Sequence, residues 1–563
     1  VGSNLYLHVA GNTVKRVVPR ENDPVNETWI ADRDRFSYQG VHSADRLERP
    51  MLKRDGRWES VDWDIAITAV TDSLRGTLEG PGPQALGALA SPSATLEELY
   101  ALQKLVRALG SDNVDHRLRQ ADFRDQDAAP VMPWLGQDIA ELQDLDAVLL
   151  VGSNVRKDQP MIAHRLRKAA LKGARVALLN PRRFEHPFPV LEQIAARPGA
   201  MAIELAGILA AALESLGTPA PAPLKEVIAA ARPGKAHRRI AGALREGERA
   251  TILLGILAEG DPDLALLRGL AGELADATGA RLGYLPAGAN GAGAWLAGAV
   301  PHRQPGGAPV QSPGRNARQM LEQGCEAYIL LGTEPEHDAY DPAGAMARLR
   351  EARFVLALTP FKGAGLLDYA DCLLPVGSFV ETEGTFVNCE GRWQSVPPAV
   401  RPFAESRPAW KVLRVLADAL GLDELTYTSA EELRRELQGA CQEIALDNRV
   451  AVAQALEPTD YDAELVRAGG PAIYSIDPVV RRARGLQETD DARIIAAHVN
   501  PAQAGRLGLE GHRRVRVIQG GEETVLDLVL DEQVPEGCVW IPAGTAATAL
   551  LGPAFGAVKL EGL

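Results

Sequence analysis

The chain is short of cysteine, of aromatic residues and of long apolar runs, and the shortages exclude whole classes of function. Five cysteines occur in 563 residues, Cys325, Cys372, Cys389, Cys441 and Cys538, and no two form a CxxC pair. This suggests neither a disulfide framework nor a cysteine-ligated cluster, and it fits a reducing, cytoplasmic compartment. The longest apolar candidate, Met201 to Leu216, is interrupted by Glu204 and Glu214. It falls short of the roughly 18–20 residues of a membrane span, so no direct membrane insertion is expected. Basic side chains number 60 against 74 acidic ones, and the net charge of −14 opposes general phosphate-backbone binding; no nucleic-acid partner is expected. The ten histidines are scattered without an HExxH spacing, which leaves a metal hydrolase unsupported, and neither a GxSxG elbow nor a GxGxxG fingerprint is present. The first residues, Val-Gly-Ser, resemble neither an initiator nor a signal peptide and point to a piece of a longer polypeptide.

What is present is an α/β rhythm. Residues 1–56 read as a β-rich domain, with Leu5 to Val9 and Val14 to Val18 joined at the Ala10-Gly11-Asn12 turn and an irregular charged stretch after them. Residues 57–232 read as a first α/β domain. Helix Trp63 to Leu78 precedes strand Ala85 to Ala90, Thr95 and Glu98 form a capping box, and strands Asp146 to Val151 and Ala174 to Asn180 flank helix Pro160 to Lys172. The Pro/Ala/Gly-rich segment Gly217 to Gly234 reads as a boundary. A second α/β domain with a helical segment follows over 233–490, its strands at Thr251 to Ile256, Arg281 to Tyr284, Ala327 to Leu331, Phe354 to Leu358 and Cys372 to Leu374. Residues 491–563 turn to short alternating strands with a Gly520-Gly521 hairpin, a small β-barrel. The predicted fold is thus two doubly wound parallel-sheet units between a small N-terminal β-rich domain and a C-terminal barrel.

Candidate ligand residues stand where predicted parallel strands end. Gly152-Ser153-Asn154, Asn180-Pro181-Arg182 and Gly332-Thr333 each follow an apolar strand, the position at which open α/β sheets bind nucleotide-like ligands. Each is also a competent turn or helix cap. The stretch Ala370 to Gln394 packs Glu381, Gly384, Thr385, Asn388, Glu390, Gly391 and Arg392 into a loop and hairpin after the strand ending at Pro375. It reads either as a ligand loop or as a structural hairpin whose polar groups cap one another. The basic run His164, Arg165, Arg167, Lys168, Lys172 reads as a solvated helix face, with a docking surface as the alternative.

The order of these elements, from Val61-Asp62-Trp63-Asp64 through Val151-Gly152-Ser153-Asn154, Asn180-Pro181-Arg182 and Ala370-Asp371 to Glu390-Gly391-Arg392, is similar to that of the molybdopterin-dinucleotide oxidoreductases, and Val499-Asn500-Pro501 resembles their last domain. Within that family, Asn26 to Tyr38 and Phe379 to Gln394 most resemble the large iron–sulfur subunits of bacterial respiratory complex I, the NADH-quinone oxidoreductase. The resemblance implies 2Fe-2S and 4Fe-4S clusters in an N-terminal part preceding Val1. It also implies peripheral-arm partners that include the NADH-oxidising flavoprotein, and a place on the inner face of the bacterial plasma membrane. Two departures bear on catalysis. The position where family members carry the last cluster cysteine is Ala31, and no cysteine precedes Cys325. Counting from Asp112-Asn113-Val114-Asp115 places the molybdenum ligand of formate dehydrogenase-like members near Ala121, which cannot coordinate a metal.

The resulting expectation is a non-catalytic scaffold that holds no cofactor in these residues. Gly152, Ser153, Asn154, Asn180, Arg182, Gly332, Thr333, Gly384, Asn388 and Arg392 would be relics of a pterin pocket, with Glu390 and Arg392 kept for internal ion pairing. The alternative is a molybdenum or tungsten enzyme of the formate dehydrogenase or nitrate reductase type. A thiamine-diphosphate enzyme is a more distant reading, and the chain has no GDG motif to support it.

Overall fold

A computed structural model describes residues 2–451 and 455–563. An N-terminal ribbon pairs β1 (Leu5–Ala10) with β2 (Thr13–Pro19) in antiparallel register. Then come β3 (Met51–Arg54), β4 (Arg57–Ser60), β5 (Leu86–Ala90), β6 (Val114–Asp115), β7 (Ala147–Val151), β8 (Arg175–Asn180), β9 (Glu192–Ala195), β10 (Ala250–Leu254), β11 (Arg281–Tyr284), β12 (Ala327–Leu331), β13 (Phe354–Thr359) and β14 (Cys372–Pro375). They form two sheets. One is all parallel, in the order β11-β10-β7-β8-β9; the other runs β4-β3-β14-β13-β12-β5-β6, parallel except for β3 and β4 at its edge. Both match the expected doubly wound arrangement. β5, β7, β10, β12 and β13 are buried along their whole length, as strands covered by helices on both faces must be.

The chain crosses between the sheets. β5 and β6 share a sheet with β12, β13 and β14, while β7, β8 and β9 share theirs with β10 and β11. A cut at 232/233 therefore separates strands that are paired in both sheets. The Gly217 to Gly234 segment packs inside the five-stranded unit: Leu224, Val227 and Ile228 are buried in one core with Leu205, Leu209 and Leu213 of the Met201–Leu216 helix.

The predicted hairpin after Pro375 is β15 (Gly384–Val387) with β16 (Trp393–Val396). The last sheet is mixed and nearly closed. It contains β17 (Val466–Ala468), β18 (Ala496–Val499), β19 (Arg514–Gln519), β20 (Glu522–Leu530), β21 (Cys538–Trp540), β22 (Gly556–Ala557) and β23 (Lys559–Gly562) in the order β22-β17-β21-β18-β20-β19-β23. Its two end strands, β22 and β23, are separated by Val558 alone, so this one segment closes the barrel. The Gly520-Gly521 turn has φ of 62° and 90°, the left-handed pair that a two-residue hairpin needs. The irregular stretch after the ribbon contains a five-residue helix, Asp32–Phe36, too short to leave a periodic signal.

Candidate functional site

In each α/β sheet the strand order reverses once, between β7 and β10 in one and between β5 and β12 in the other. A crevice at the carboxyl ends of such a strand pair is where doubly wound sheets take ligands. Three of the sequence candidates, Gly152, Ser153 and Asn154, stand at the first reversal, and Gly332 and Thr333 stand at the second.

The first crevice is closed by its own backbone. Leu257 N donates to Gly152 O at 2.8 Å and Ala258 N to the same oxygen at 3.2 Å, so the loops after β7 and β10 are hydrogen-bonded across the gap. A Cβ at Gly152 would lie 2.3 Å from Ala258 N, and one at Gly255 would lie 2.5 Å from Ser153 Cβ. Asn180 is committed to the same turn, its Oδ1 accepting from Ser153 N at 2.7 Å and its Nδ2 donating to Ser153 O at 3.1 Å. The Ser153 hydroxyl is buried without a partner. Asn154 N donates to the Asp158 carboxyl. Arg182 reaches away to the barrel, where it pairs with Asp531 at 2.7 Å between the rings of Phe184 and Trp540.

The second crevice is closed partly by charge. Thr333 Oγ1 donates to Asp338 Oδ2 at 3.0 Å. Asp338 also takes Arg119 at 2.7 Å and Arg481 at 3.0 Å; Glu334 takes Arg481 at 2.9 Å and Arg482 at 2.7 Å, and Arg482 continues to Asp45 at 2.6 Å. Three guanidinium groups and three carboxylates thus tie the loop after β6, the turn after β12, the Pro478–Arg481 helix and the N-terminal region into one neutral network. Burial alone would raise the Asp338 carboxyl, but Arg481 and Arg119 overcome it and hold it at about 2.

Between the crevices lies a cavity of about 60 Å³, lined among others by Arg117, Arg119, Glu259, Arg268, Tyr284 and Trp295. That is room for a handful of waters and far too little for a dinucleotide. Its cations are already spoken for: Arg117 makes a bidentate pair with Asp115 at 2.8 Å, Arg268 pairs with Asp125 at 3.2 Å, and Arg119 pairs with Asp338. Glu259 has no ion-pair partner among the described residues, and burial pushes its carboxyl up toward the neutral acid. Burial also lowers His116 to about 4, so its ring is neutral at pH 7, with Nδ1 against Ala299 O. Sequence reasoning missed this cluster. Its one signal is the alternation Asp115, Arg117, Arg119 in a stretch otherwise too buried for charge.

Ala121 is fully buried behind the cavity, its carbonyl accepting from Arg318, and Ala31 is buried at the start of the Asp32–Phe36 helix. The hairpin candidates lie elsewhere and serve one another. Asn388 Oδ1 accepts from Glu390 N and Arg392 N, closing the turn around Gly391 at φ 85°. Glu390 pairs with Arg392 at 2.7 Å and accepts from Ile139 N at 2.8 Å. A Cβ at Gly384 would lie 2.3 Å from Thr95 Cγ2, while Thr385 binds buried Glu97 through both its hydroxyl and its N–H. One Arg46 guanidinium nitrogen donates to both carboxylate oxygens of buried Glu381, at 2.8 and 2.9 Å.

The ten sequence candidates thus fall into three separate groups, with Arg182 apart at the barrel, and their polar groups are largely bound internally. A pterin dinucleotide does not fit these residues: the crevice between β7 and β10 is filled by backbone, and the cavity beyond it holds only a few waters. Burial raises the thiols of Cys389 and Cys538 to about 12 and that of Cys441 to about 11.

The basic run on the Pro160–Leu171 helix is not simply solvated. His164, Arg165 and Lys168 converge on Glu27, which stands at φ 51°, and so pin the N-terminal region to the five-stranded unit. The counter-charge lies far away in the chain, which is why periodicity alone assigned these residues to water.

The chain belongs to the molybdopterin oxidoreductase family, whose model matches residues 46–419. A second family model, the 4Fe-4S domain of NADH-ubiquinone oxidoreductase NDSU1/NuoG-like proteins, matches residues 1–39, a stretch without cysteine. The chain is 28% identical to the G subunit of NADH-quinone oxidoreductase from Streptomyces coelicolor over 97% of its own length and 66% of that protein's. It is 24% identical to the F420-dependent formate dehydrogenase subunit alpha of Methanocaldococcus jannaschii, over 96% of its length and 93% of that protein's. Acetylene hydratase from Pelobacter acetylenicus shares the fold with a TM-score of 0.70 at 14% identity, covering 99% of this chain and 98% of that one. No helix among the described residues is long and apolar enough to cross a membrane.

Proposed function

We propose that this chain is the non-catalytic scaffold of an NADH:quinone oxidoreductase subunit, whose electron-transfer clusters sit in a part outside residues 1–563. In that assembly it packs against other peripheral-arm subunits, with the NADH-oxidising flavoprotein among the partners of the complex, on the inner face of a bacterial plasma membrane. The observation that carries the reading is the crevice between β7 and β10, where Gly152 is pressed against Ala258 and Gly255 against Ser153 of the opposing loop. Gly152, Asn180, Gly332 and the hairpin residues then persist for backbone geometry and internal pairing. Ala31 and the cysteine-free stretch around it leave no thiolate for a cluster in residues 1–39.

A second reading, a molybdenum or tungsten oxidoreductase, draws support from the Methanocaldococcus relative, which is matched along 93% of its length. Metal and pterin analysis of the purified protein separates the two. The scaffold reading expects neither metal above trace and expects copurification with an NADH-oxidising flavoprotein. Near-stoichiometric molybdenum or tungsten with bound pterin would overturn it.

A further inference from the structure

In a chain of net charge −14, residues 1–20 contain Lys15, Arg16 and Arg20 and no carboxylate. Among the described residues, none of these three cations has an acidic group within 4.0 Å. All three belong to the β1–β2 ribbon or flank it. A two-stranded ribbon is marginal alone and needs at least one face covered. Its inner face is covered: Val14 is buried in a cluster with Val41 and Val380, with Leu7 and Tyr38 packed against it. Its outer face is not, for Tyr6 is 54% exposed and shares that face with His8 and Arg16, which stand opposite each other. There the cations are held in place, with Arg16 Nε donating to His8 Nδ1 at 2.8 Å and the Arg20 guanidinium 5.5 Å from the centre of the Tyr6 ring. The two edges differ as well. The Asp32–Phe36 helix and the Ser37–His42 turn pack beside β2, whereas β1 has β2 on one side and no strand on the other.

We propose that the free edge of β1 and the outer face of this ribbon dock an extended, acidic segment of a partner protein. Strand addition to β1 would satisfy backbone groups that an exposed edge leaves open. An apolar side chain of the segment would cover Tyr6, and its carboxylates would meet Lys15, Arg16 and Arg20. A second copy of this chain is the wrong occupant, because a two-fold pairing of ribbons would set like charges opposite one another. The inference rests on the scaffold reading only in placing the partner within an assembly.

The test is photo-crosslinking in the assembled complex with Tyr6→p-benzoylphenylalanine and, as an independent second position on the same face, His8→p-benzoylphenylalanine, followed by peptide mapping. Both positions should crosslink to one acidic segment of another protein, and Arg16→Glu with Arg20→Glu should cut the yield about tenfold or more, since an opposed like charge costs several kcal/mol. Crosslinks to residues of this chain, to a second copy or to lipid, the lack of any crosslink, or a yield indifferent to the charge reversals would overturn the proposal. If the acidic segment belongs to a protein outside NADH:quinone oxidoreductase, the docking inference stands and the scaffold reading falls.

Discussion

The crevice between β7 and β10 and the crevice between β5 and β12 occupy the same topological position, yet they are sealed by different means. The first is shut by glycine backbones in contact, Gly152 on Ala258 and Gly255 on Ser153, with main-chain hydrogen bonds across the gap. The second is locked by a buried network around Asp338 and Glu334. A seal of backbone depends on shape and is indifferent to protons, whereas a seal of charge depends on every partner remaining ionised.

Breaking the charged seal should have the largest effect. Asp338→Ala leaves the Arg119 and Arg481 guanidinium groups facing each other in the interior, and chemical denaturation should register a loss of about 3–5 kcal/mol. The folded carboxyl stands at about 2, below its unfolded value of about 3.9, so its contribution is complete above pH 4 and disappears as pH falls through about 2. The deficit of Asp338→Ala relative to wild type should therefore shrink across that window.

Breaking the backbone seal comes next. Gly152→Val places a branched side chain at φ 60° and a Cβ 2.3 Å from Ala258 N, for a combined cost of roughly 2–4 kcal/mol. That loss should be the same at pH 4 and pH 8; a pH-dependent loss would show that the two seals are coupled.

The smallest effect sharpens the charged side. Glu336 lies beside the network, buried, with the Tyr369 hydroxyl donating to it at 2.6 Å; burial and the neighbouring Glu334 raise its carboxyl to about 7. A carboxyl raised from an unfolded value of about 4.3 stabilises the fold fully below that pH and stops doing so as pH rises through about 7. Glu336→Gln, neutral throughout, should gain roughly 1–3 kcal/mol over wild type at pH 8, with the difference vanishing at pH 4.

The elements themselves were legible in the chain. Strands Arg281–Tyr284 and Ala327–Leu331 fall where their apolar runs place them, and the Thr95–Glu98 capping box is made on both sides. Which sheet each strand joins was not legible, because a strand buried on both faces has no polar face to mark its partner. β17 is three residues long and leaves no pattern at all, so the barrel begins in chain order well before the alternating signal. At the site, strand-end glycines could be located, but whether a crevice is open or filled depends on the opposing loop, here about 100 residues further along. Arg46 and Glu381 illustrate the same limit, for each reads as a surface charge until the fold brings them together with 3% and 5% of their side chains exposed.

The crossing of the chain between the two sheets has a consequence for biosynthesis. β5 leaves the ribosome about 240 residues before β12, the neighbour it must pair with, and at roughly 5–20 residues per second its edge waits roughly ten to fifty seconds. β7 waits for β10 over about 100 residues. β7 has both neighbours by the time β10 emerges, but the other sheet cannot close around β5 until the nascent chain has passed its midpoint, so a long-lived, apolar half-sheet is an obligatory stage of synthesis, and chaperone occupancy should persist until the emergence of β12.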